Sequence, residues 1–479
     1  MTCTVPTAPA AAFAYERLAA DVTALIESGT LRPGERLPSV RRMSARRRVS
    51  IPTVLQAYQL LEARRVIAAR PRSGFYVLPG GESHATPRVA TTPDPTEITS
   101  GDLIVRVLDM VANPTLMPLG TALPDPALLP CAALVRMMGR AVRRNATRSA
   151  TLFTPAGEPE LRRQIARRTV DAGSSTTPDD VVITSGCSEA VWLCLRSITR
   201  PGQTVAVESP CYFGTLQAIH ALGLRALEIP TDPSMGMSVD ALGAALARGG
   251  VSALVVNANV HNPLGSVMPD DAKKQLMALV RRHGVPVIED ETYAELYYGP
   301  SRPRSLRAFD TTGLVLSCGS FSKTLAPGYR VGWTIPGPFR DTVLHFKLAT
   351  TVAVAVPTQL AIAEFLASGS FDRHLQKLRR VFQGNVSRWT QEVVERFPES
   401  TRVSRPMGGF LLWVQLPESV DSAELQRSAV RRGLSIAPGP AFSASGQYSD
   451  CLRMNAGYTW SERTAKAVET AAEIIKLSQ

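Results

Sequence analysis

Residues 317–330 read Ser-Cys-Gly-Ser-Phe-Ser-Lys-Thr-Leu-Ala-Pro-Gly-Tyr-Arg and follow the apolar run Leu314-Val315-Leu316. Lys323 stands out because the chain has seven lysines against 46 arginines. A lysine that condenses with a carbonyl must be able to shed its proton, which arginine cannot do. The hydroxyls of Ser320 and Ser322 and the guanidinium of Arg330 suit a nearby phosphate. Taken alone, the segment admits two readings: a polar loop with a solvated lysine, or a Schiff-base lysine beside a phosphate seat. The flanking sequence decides between them.

Upstream, short apolar runs at 181–184, 204–207, 253–256, 285–288 and 314–316 alternate with helical patterns, among them 188–198 and one beginning at Gly214. Such alternation predicts a mainly parallel sheet covered on both faces, with ligands at the carboxyl ends of its strands. Chemical groups fall at those ends. Ser185-Gly186-Cys187-Ser188 opens a helix and offers backbone N–H groups and the helix dipole to a phosphate. Tyr212, in Glu208-Ser209-Pro210-Cys211-Tyr212, places a ring where it can stack on a planar heterocycle. Asn262-Pro263-Leu264-Gly265 presents an amide at a tight turn. Asp290, followed by Glu291-Thr292-Tyr293, is a carboxylate that once buried needs a cation, such as a protonated pyridine nitrogen. Singly each motif is weak, since Asn-Pro-x-Gly is usually a turn and a strand-end Asp is often a helix cap. Their order, leading to the lysine, is specific.

That order resembles the fold-type I aminotransferases that use pyridoxal 5′-phosphate, from about residue 120 to the C-terminus. The resemblance implies that Lys323 forms the internal aldimine and that Asp290 pairs with the pyridine nitrogen, while Tyr212 stacks on the ring; these three are the expected catalytic set. It implies that Asn262 and Tyr293 bond the phenolic oxygen, and that Cys187, Ser188, Ser320, Ser322 and Arg330 hold the phosphate. Arg453, in Cys451-Leu452-Arg453-Met454-Asn455, would clamp a substrate or effector carboxylate bidentately. Gly409 matches a glycine pair near that site, and residues 119–130 resemble the family's lid segment. Two positions depart from the pattern: Leu152 replaces a tyrosine that crosses to the neighbouring subunit's phosphate, and Leu264 replaces a threonine.

The first 80 residues are a separate unit. They hold 12 arginines against 5 acidic residues, a net +7, of the +12 carried by the whole chain. A compact basic unit on a nearly neutral body suggests a polyanion partner. Phe13, Leu18, Ala19, Val22, Leu25 and Ile26 predict a helix over 13–27. Ser39 suits the cap of a short helix over 40–47, and Ser50 the cap of a second one with Pro52 in its first turn. Val54, Leu55, Ala57, Tyr58 and Leu61 form the second helix's expected buried stripe. Residues 66–68 and 75–77 flank Arg70-Pro71-Arg72-Ser73-Gly74, a two-stranded wing with a basic tip. This is the layout of a winged helix-turn-helix. Leu37-Pro38-Ser39-x-Arg41, Val49-Ser50-x-x-Thr53-Val54-x-x-Ala57-Tyr58-x-x-Leu61 and Arg70-Pro71-x-Ser73-Gly74 resemble the DNA-binding domain of GntR-type bacterial regulators. By that resemblance Ser39, Arg41, Ser50, Thr53, Tyr58, Arg70, Arg72 and Gly74 form the DNA-binding set. Ile51, Pro52 and Leu55 depart from it where arginine or polar residues are common.

Seven cysteines without a Cys-x-x-Cys pair read as reduced thiols, and six histidines show no metal-ligand spacing, so no metal is expected. The most apolar stretch, 348–367, is interrupted by polar residues and is a poor membrane span. No charged region followed by an apolar run opens the chain, so a cytoplasmic location is expected. The expected fold is multi-domain: a winged helix-turn-helix over 1–80, a Pro/Gly-rich flexible linker over 81–101, and an α/β aminotransferase-like effector and dimerisation domain over 102–479. A short amphipathic helix is expected from Ile104, Val105, Val107, Leu108 and Val111. The combination resembles the MocR subfamily of bacterial regulators. It implies a homodimer that binds double-stranded DNA and senses pyridoxal 5′-phosphate, an amino acid forming an external aldimine, or both. The alternatives are a working aminotransferase carrying a DNA-binding module, and a cofactor-free dimerisation scaffold.

Overall fold

The computed structural model describes residues 14–27, 31, 35–63, 66–70, 74–77, 87–88, 94–98, 103, 105, 107, 109–110, 113–151 and 154–479. The chain divides into two units, Met1–Ala85 and Thr86–Gln479.

In the first unit, helices α1 (Ala14–Glu27), α2 (Val40–Arg47) and α3 (Ile51–Ala63) precede strands β1 (Ile67–Arg70) and β2 (Gly74–Val77). Leu18 and Val22 of α1, Met43 of α2, Val54, Ala57 and Leu61 of α3, and Ile67 and Val77 of the ribbon share one core. Both expected caps form: Ser39 Oγ accepts from Arg42 N at 3.4 Å, and Ser50 Oγ accepts from Thr53 N at 3.2 Å. The strands pair antiparallel, with Ile67 opposite Val77 and Arg70 opposite Gly74. Gly74 has φ +108°, and a Cβ there would lie 3.2 Å from Arg36 Nε, so glycine is needed at this edge of the wing.

Two expectations change here. Leu55 is 40% exposed rather than part of the buried stripe. It follows buried Val54 by one residue, a rotation of about 100° around the helix. Tyr58, expected to touch DNA, is fully buried, and its hydroxyl donates to Pro38 O at 2.8 Å. It ties α3 to the turn before α2, and burial pushes its phenol up to about 12. Arg72 lies outside the described residues.

The second unit is built on an eight-stranded sheet. Its strands are β4 (Val182–Thr184), β5 (Thr204–Ser209), β6 (Arg225–Asp232), β7 (Gly236–Met237), β8 (Val251–Val256), β9 (Val287–Asp290), β10 (Val315–Ser320) and β11 (Gly332–Ile335); β3 (Met117–Pro118) lies outside it. The order is β4-β11-β10-β9-β8-β5-β6-β7, parallel from β10 through β6. β11 runs against both of its neighbours, and β7 against β6. Successive residues of β5 serve opposite faces. Val205 and Val207 pack with the helices Cys187–Ile198 and Phe213–Ala221, and Ala206 packs with Val239–Arg248 and Asp270–His283. A second, antiparallel sheet has the order β12 (Arg402–Val403), β13 (Leu411–Gln415), β16 (Cys451–Asn455), β15 (Ala437–Pro438), and β14 (Leu434–Ser435) pairs with β3. The long helix Ser370–Arg396 packs Val386, Trp389 and Val393 into the core of this region.

Part of the expected connector is bound to the larger unit. Thr96 exchanges backbone hydrogen bonds with Ala226 at the edge of β6, and Ile98 is 7% exposed. The described residues among 103–110 are helical, and Leu103 and Val107 are buried one turn apart. Val105, expected on the same face, is exposed; Ile104, Leu108 and Val111 lie outside the described residues.

Candidate cofactor and effector site

β10 ends at Ser320, and the following turn carries Lys323 into the second unit's interior. Its Nζ donates to Ala122 O at 2.7 Å. Burial, with Arg453 and Arg330 close by, pulls its pKa down to about 8 against the opposing charge of Asp290. At pH 7.5 about a quarter of such amines are neutral, against roughly one in a thousand for an ordinary lysine. The side chain is therefore a competent nucleophile toward a carbonyl.

Asp290 closes the adjacent strand β9. Its Oδ1 accepts from Thr292 N at 2.8 Å and from Cys187 Sγ at 3.5 Å. Burial raises its pKa, while the Thr292 and Cys187 hydrogen bonds and the Lys323 charge oppose the rise. Burial and the Asp290 charge push the Cys187 thiol far up, so it stays a neutral donor. The Cys187 side chain thus serves Asp290, and a phosphate contact from this residue is left to its backbone N–H.

The helix that begins at Cys187 starts against bare backbone. Gly186 has φ +81°, and a Cβ on it would come 2.7 Å from Arg330 Nη2. A Cβ on Gly332 of β11 would meet the Gly186 backbone at 2.4 Å. These glycines let the helix N-terminus, Arg330 and β11 approach one another, and Arg330 Nη2 donates to Ser185 O at 3.4 Å. Ser188, Ser320, Ser322 and Arg330 line one open cleft with Tyr212, Asn262, Asp290, Tyr293 and Lys323. Tyr212 precedes the helix Phe213–Ala221, and its ring lies over Gly214, where a Cβ would come within 2.4 Å.

Arg453, on β16, is 1% exposed. Nη1 donates to Asn262 Oδ1 at 3.1 Å and Nη2 to Gly120 O at 2.8 Å, while Nε finds no partner among the described residues. The rings of Phe213 and Phe442 stand 5.4 and 4.9 Å from its guanidinium carbon. Burial lowers its pKa. A buried guanidinium held only by neutral acceptors, with one donor unused, suits an incoming carboxylate.

The expected lid segment, 119–130, includes what covers these cations; sequence reasoning missed that it does so through backbone carbonyls. Residues 119–123 form a strap held by Asn455, whose N donates to Leu119 O at 2.6 Å and whose Nδ2 donates to Leu123 O at 2.8 Å. A Cβ on Gly120 would come 2.3 Å from Ala437 N. From this strap Gly120 O caps Arg453, and Ala122 O caps Lys323 and accepts from Tyr293 Oη at 3.5 Å. Backbone carbonyls carry no side-chain signature, so nothing in the residue types pointed to them. Also missed was His261, whose Nδ1 accepts from Leu264 N at 3.2 Å while Nε2 faces Glu208 Oε2 at 3.3 Å. This buried pair braces the turn that carries Asn262, and the signal available was the histidine directly before Asn-Pro.

The cleft thus joins an amine about a quarter neutral at pH 7.5, a half-buried carboxylate with no basic ion-pair partner among the described residues, a helix N-terminus with hydroxyls and an arginine, and a ring surface. A ligand with an aldehyde, a protonated ring nitrogen and a phosphate matches all four. Leu152 lies outside the described residues. No group of three or more His, Cys, Asp or Glu among the described residues could hold a metal ion.

Residues 117–470 match the family model for aminotransferase class I and II, and residues 14–77 that for bacterial regulatory proteins of the gntR family. The uncharacterised HTH-type transcriptional regulator YjiR of Escherichia coli is 40% identical over 465 residues, covering 96% of this chain and 98% of that protein. The chain is a MocR-type regulator, with a gntR-family domain joined to an aminotransferase class I and II domain. The 2-aminoadipate transaminase of Thermus thermophilus is 28% identical over 378 residues, covering 78% of this regulator and 93% of the enzyme. The solved structure of LysN, α-aminoadipate aminotransferase of Thermus thermophilus, complexed with N-(5′-phosphopyridoxyl)-L-leucine, superposes with a TM-score of 0.73. It is 28% identical and covers 78% of this regulator and 95% of that chain.

In the regulator's first unit, Ser39, Arg41 and Ser50 are exposed and Thr53 is half-buried, all at or beside the starts of α2 and α3. Ser50 Oγ and Thr53 Oγ1 lie 2.7 Å apart. Arg70 is in β1, opposite Gly74. Among the described residues no helix is long and apolar enough to cross a membrane.

Proposed function

We propose that this protein is a transcriptional regulator whose larger unit binds pyridoxal 5′-phosphate through Lys323 and senses an amino acid through Arg453. When bound, the cofactor supplies an aldehyde that condenses with a primary amine. Lys323 offers that amine largely desolvated, Asp290 stabilises a protonated ring nitrogen, and Tyr212 stacks on the ring. Asn262 and Tyr293 face the ring oxygen. Ser188, Ser320, Ser322, Arg330 and the helix N-terminus at Cys187 receive the phosphate. Arg453 holds the carboxylate of the sensed amino acid.

The observation that carries this reading is the pair of strap carbonyls on the two cations. A carboxylate arriving at Arg453 competes with Gly120 O, and a ligand drawing on Lys323 competes with Ala122 O. The strap follows residues 81–101, which join it to the DNA-binding region assigned to residues 1–80; residues 102–479 form the sensing and dimerisation part. Ligand and DNA affinity are coupled if strap-closed and strap-released states differ in both. A homodimer in the cytoplasm, reading two half-sites, follows from this assignment.

The test uses the full-length protein loaded with pyridoxal phosphate and duplexes it selects from a random pool. Titration with each common amino acid should change both the absorption spectrum and the DNA affinity for at least one of them. A spectrum that responds while DNA affinity stays constant for all of them would overturn the sensing role.

A second reading, a working aminotransferase, is favoured by the setting of Lys323: burial beside Arg453 and Asp290 lowers its pKa to about 8, so its amine can both take up and return a proton. Stoichiometric release of a keto acid, followed by recycling with a second keto acid, would establish it. A spectral change without keto-acid release would contradict it.

A further inference from the structure

The first unit exposes an apolar pair on a surface otherwise rich in positive charge. Ile51 and Leu55 are 44% and 40% exposed. They lie one turn apart at the start of α3 and form a single patch. Neither can donate or accept a hydrogen bond. The arginines at 46, 47 and 48 lead into this helix, and all three are exposed, as are Arg41 and Arg42. Arg47 pairs with Asp21 at 3.1 Å, and the other four appear in no ion pair among the described residues. The hydroxyls of Ser50 and Thr53 sit beside the patch.

Positive charge with an apolar pair matches the major groove of a DNA duplex. Phosphates flank that groove, and the thymine C5 methyl is an apolar group that base pairs display in it. In a helix-turn-helix the second helix lies in the major groove, with its N-terminal residues at the base edges. That geometry puts Ile51 and Leu55 at the groove floor. We infer that Ile51 and Leu55 read thymine methyl groups, so that the protein's recognition site carries thymines at the base pairs facing the start of α3. The inference rests on the DNA-binding reading of the first unit and adds its specificity. It also gives the exposed Leu55 a role that packing does not.

The experiment uses the full-length protein loaded with pyridoxal phosphate. Duplexes enriched from a random pool are resynthesised with deoxyuridine replacing one thymidine at a time, which removes only the methyl group. Wild-type affinity should fall about three- to fivefold at one or two positions per half-site, the effect of one buried methyl. Leu55→Ala and Ile51→Ala should each lose that sensitivity at one of those positions while still binding duplex DNA at low salt. Deoxyuridine without effect at every position would overturn the inference, and this arm needs no protein variant. A methyl penalty retained in full by both variants would also overturn it. No duplex binding even at low salt would overturn the DNA-binding reading itself, and the inference with it.

Discussion

Arg168 and Arg453 are both held inside the larger unit, and the fold treats them in opposite ways. Arg168 donates to both oxygens of Glu295 at 2.9 Å and to Asp372 at 2.8 Å. Arg302 and Arg379 bind the same Glu295 at 3.1 and 3.7 Å. Burial works against ionisation of Glu295, yet Arg302, Arg168 and Arg379 hold its carboxyl down at about 2. Around Arg453 there are two neutral oxygens, two aromatic rings and an unused Nε. A buried cation matched by the fold is scaffold. A buried cation left with neutral acceptors is poised for charge brought by a ligand.

The comparison can be broken most forcefully at Glu295. Glu295→Gln leaves three arginines without their shared carboxylate and should cost about 3–5 kcal/mol of stability, read from the denaturation midpoint of the larger unit. Arg453→Met should do the reverse: the midpoint holds or rises, while affinity for the sensed carboxylate falls roughly 100-fold and cofactor capture persists. Equal destabilisation by the two substitutions would erase the distinction between scaffold and site.

Lys323 sharpens the contrast through pH. Its reactive form is the neutral amine, and its pKa is lowered, so that form grows as pH rises toward about 8 rather than toward 10.5. The rate of cofactor capture by apo protein should climb about tenfold per pH unit below 8 and then level off. In Arg453→Met, loss of a neighbouring positive charge should move the inflection upward. A rate still climbing steadily beyond pH 9.5 would show that the amine is not perturbed. The smallest effect belongs to the first unit, where Arg41 is exposed and screened. Arg41→Ala should reduce the slope of log affinity against log salt by about one, and an unchanged slope would remove Arg41 from the phosphate contacts.

Much of the site was legible because its residues follow strands directly. Ser185–Ser188, Tyr212, Asp290 and Lys323 each come just after an apolar run, and the sheet gathers the ends of those runs at one edge. The helix caps Ser39 and Ser50 were legible because capping acts within three residues. What stayed hidden depends on distant partners. β6 contains Glu228 and Pro230, and its strand character comes from pairing with β5. β11 is four residues long and defined by neighbours on both sides. The strap carbonyls reach Lys323 and Arg453 across 201 and 333 residues of sequence. The Glu295 cluster draws its arginines from three separate segments. Leu55 was misplaced because it sits at the edge of the helical stripe, where packing decides which side chains are covered; Tyr58 falls in the buried stripe as expected, and its burial removes it from the DNA-binding set that the family resemblance implied.

The central claim is that Lys323 captures an aldehyde-bearing cofactor, and borohydride trapping tests it most directly. Apo protein incubated with pyridoxal 5′-phosphate, reduced and digested should carry a phosphopyridoxyl adduct on the peptide containing Lys323, at about one per chain, and Lys323→Ala should carry none there. Protein that stays colourless, or an adduct found instead on a fully buried lysine such as Lys273 or Lys347, would contradict the account.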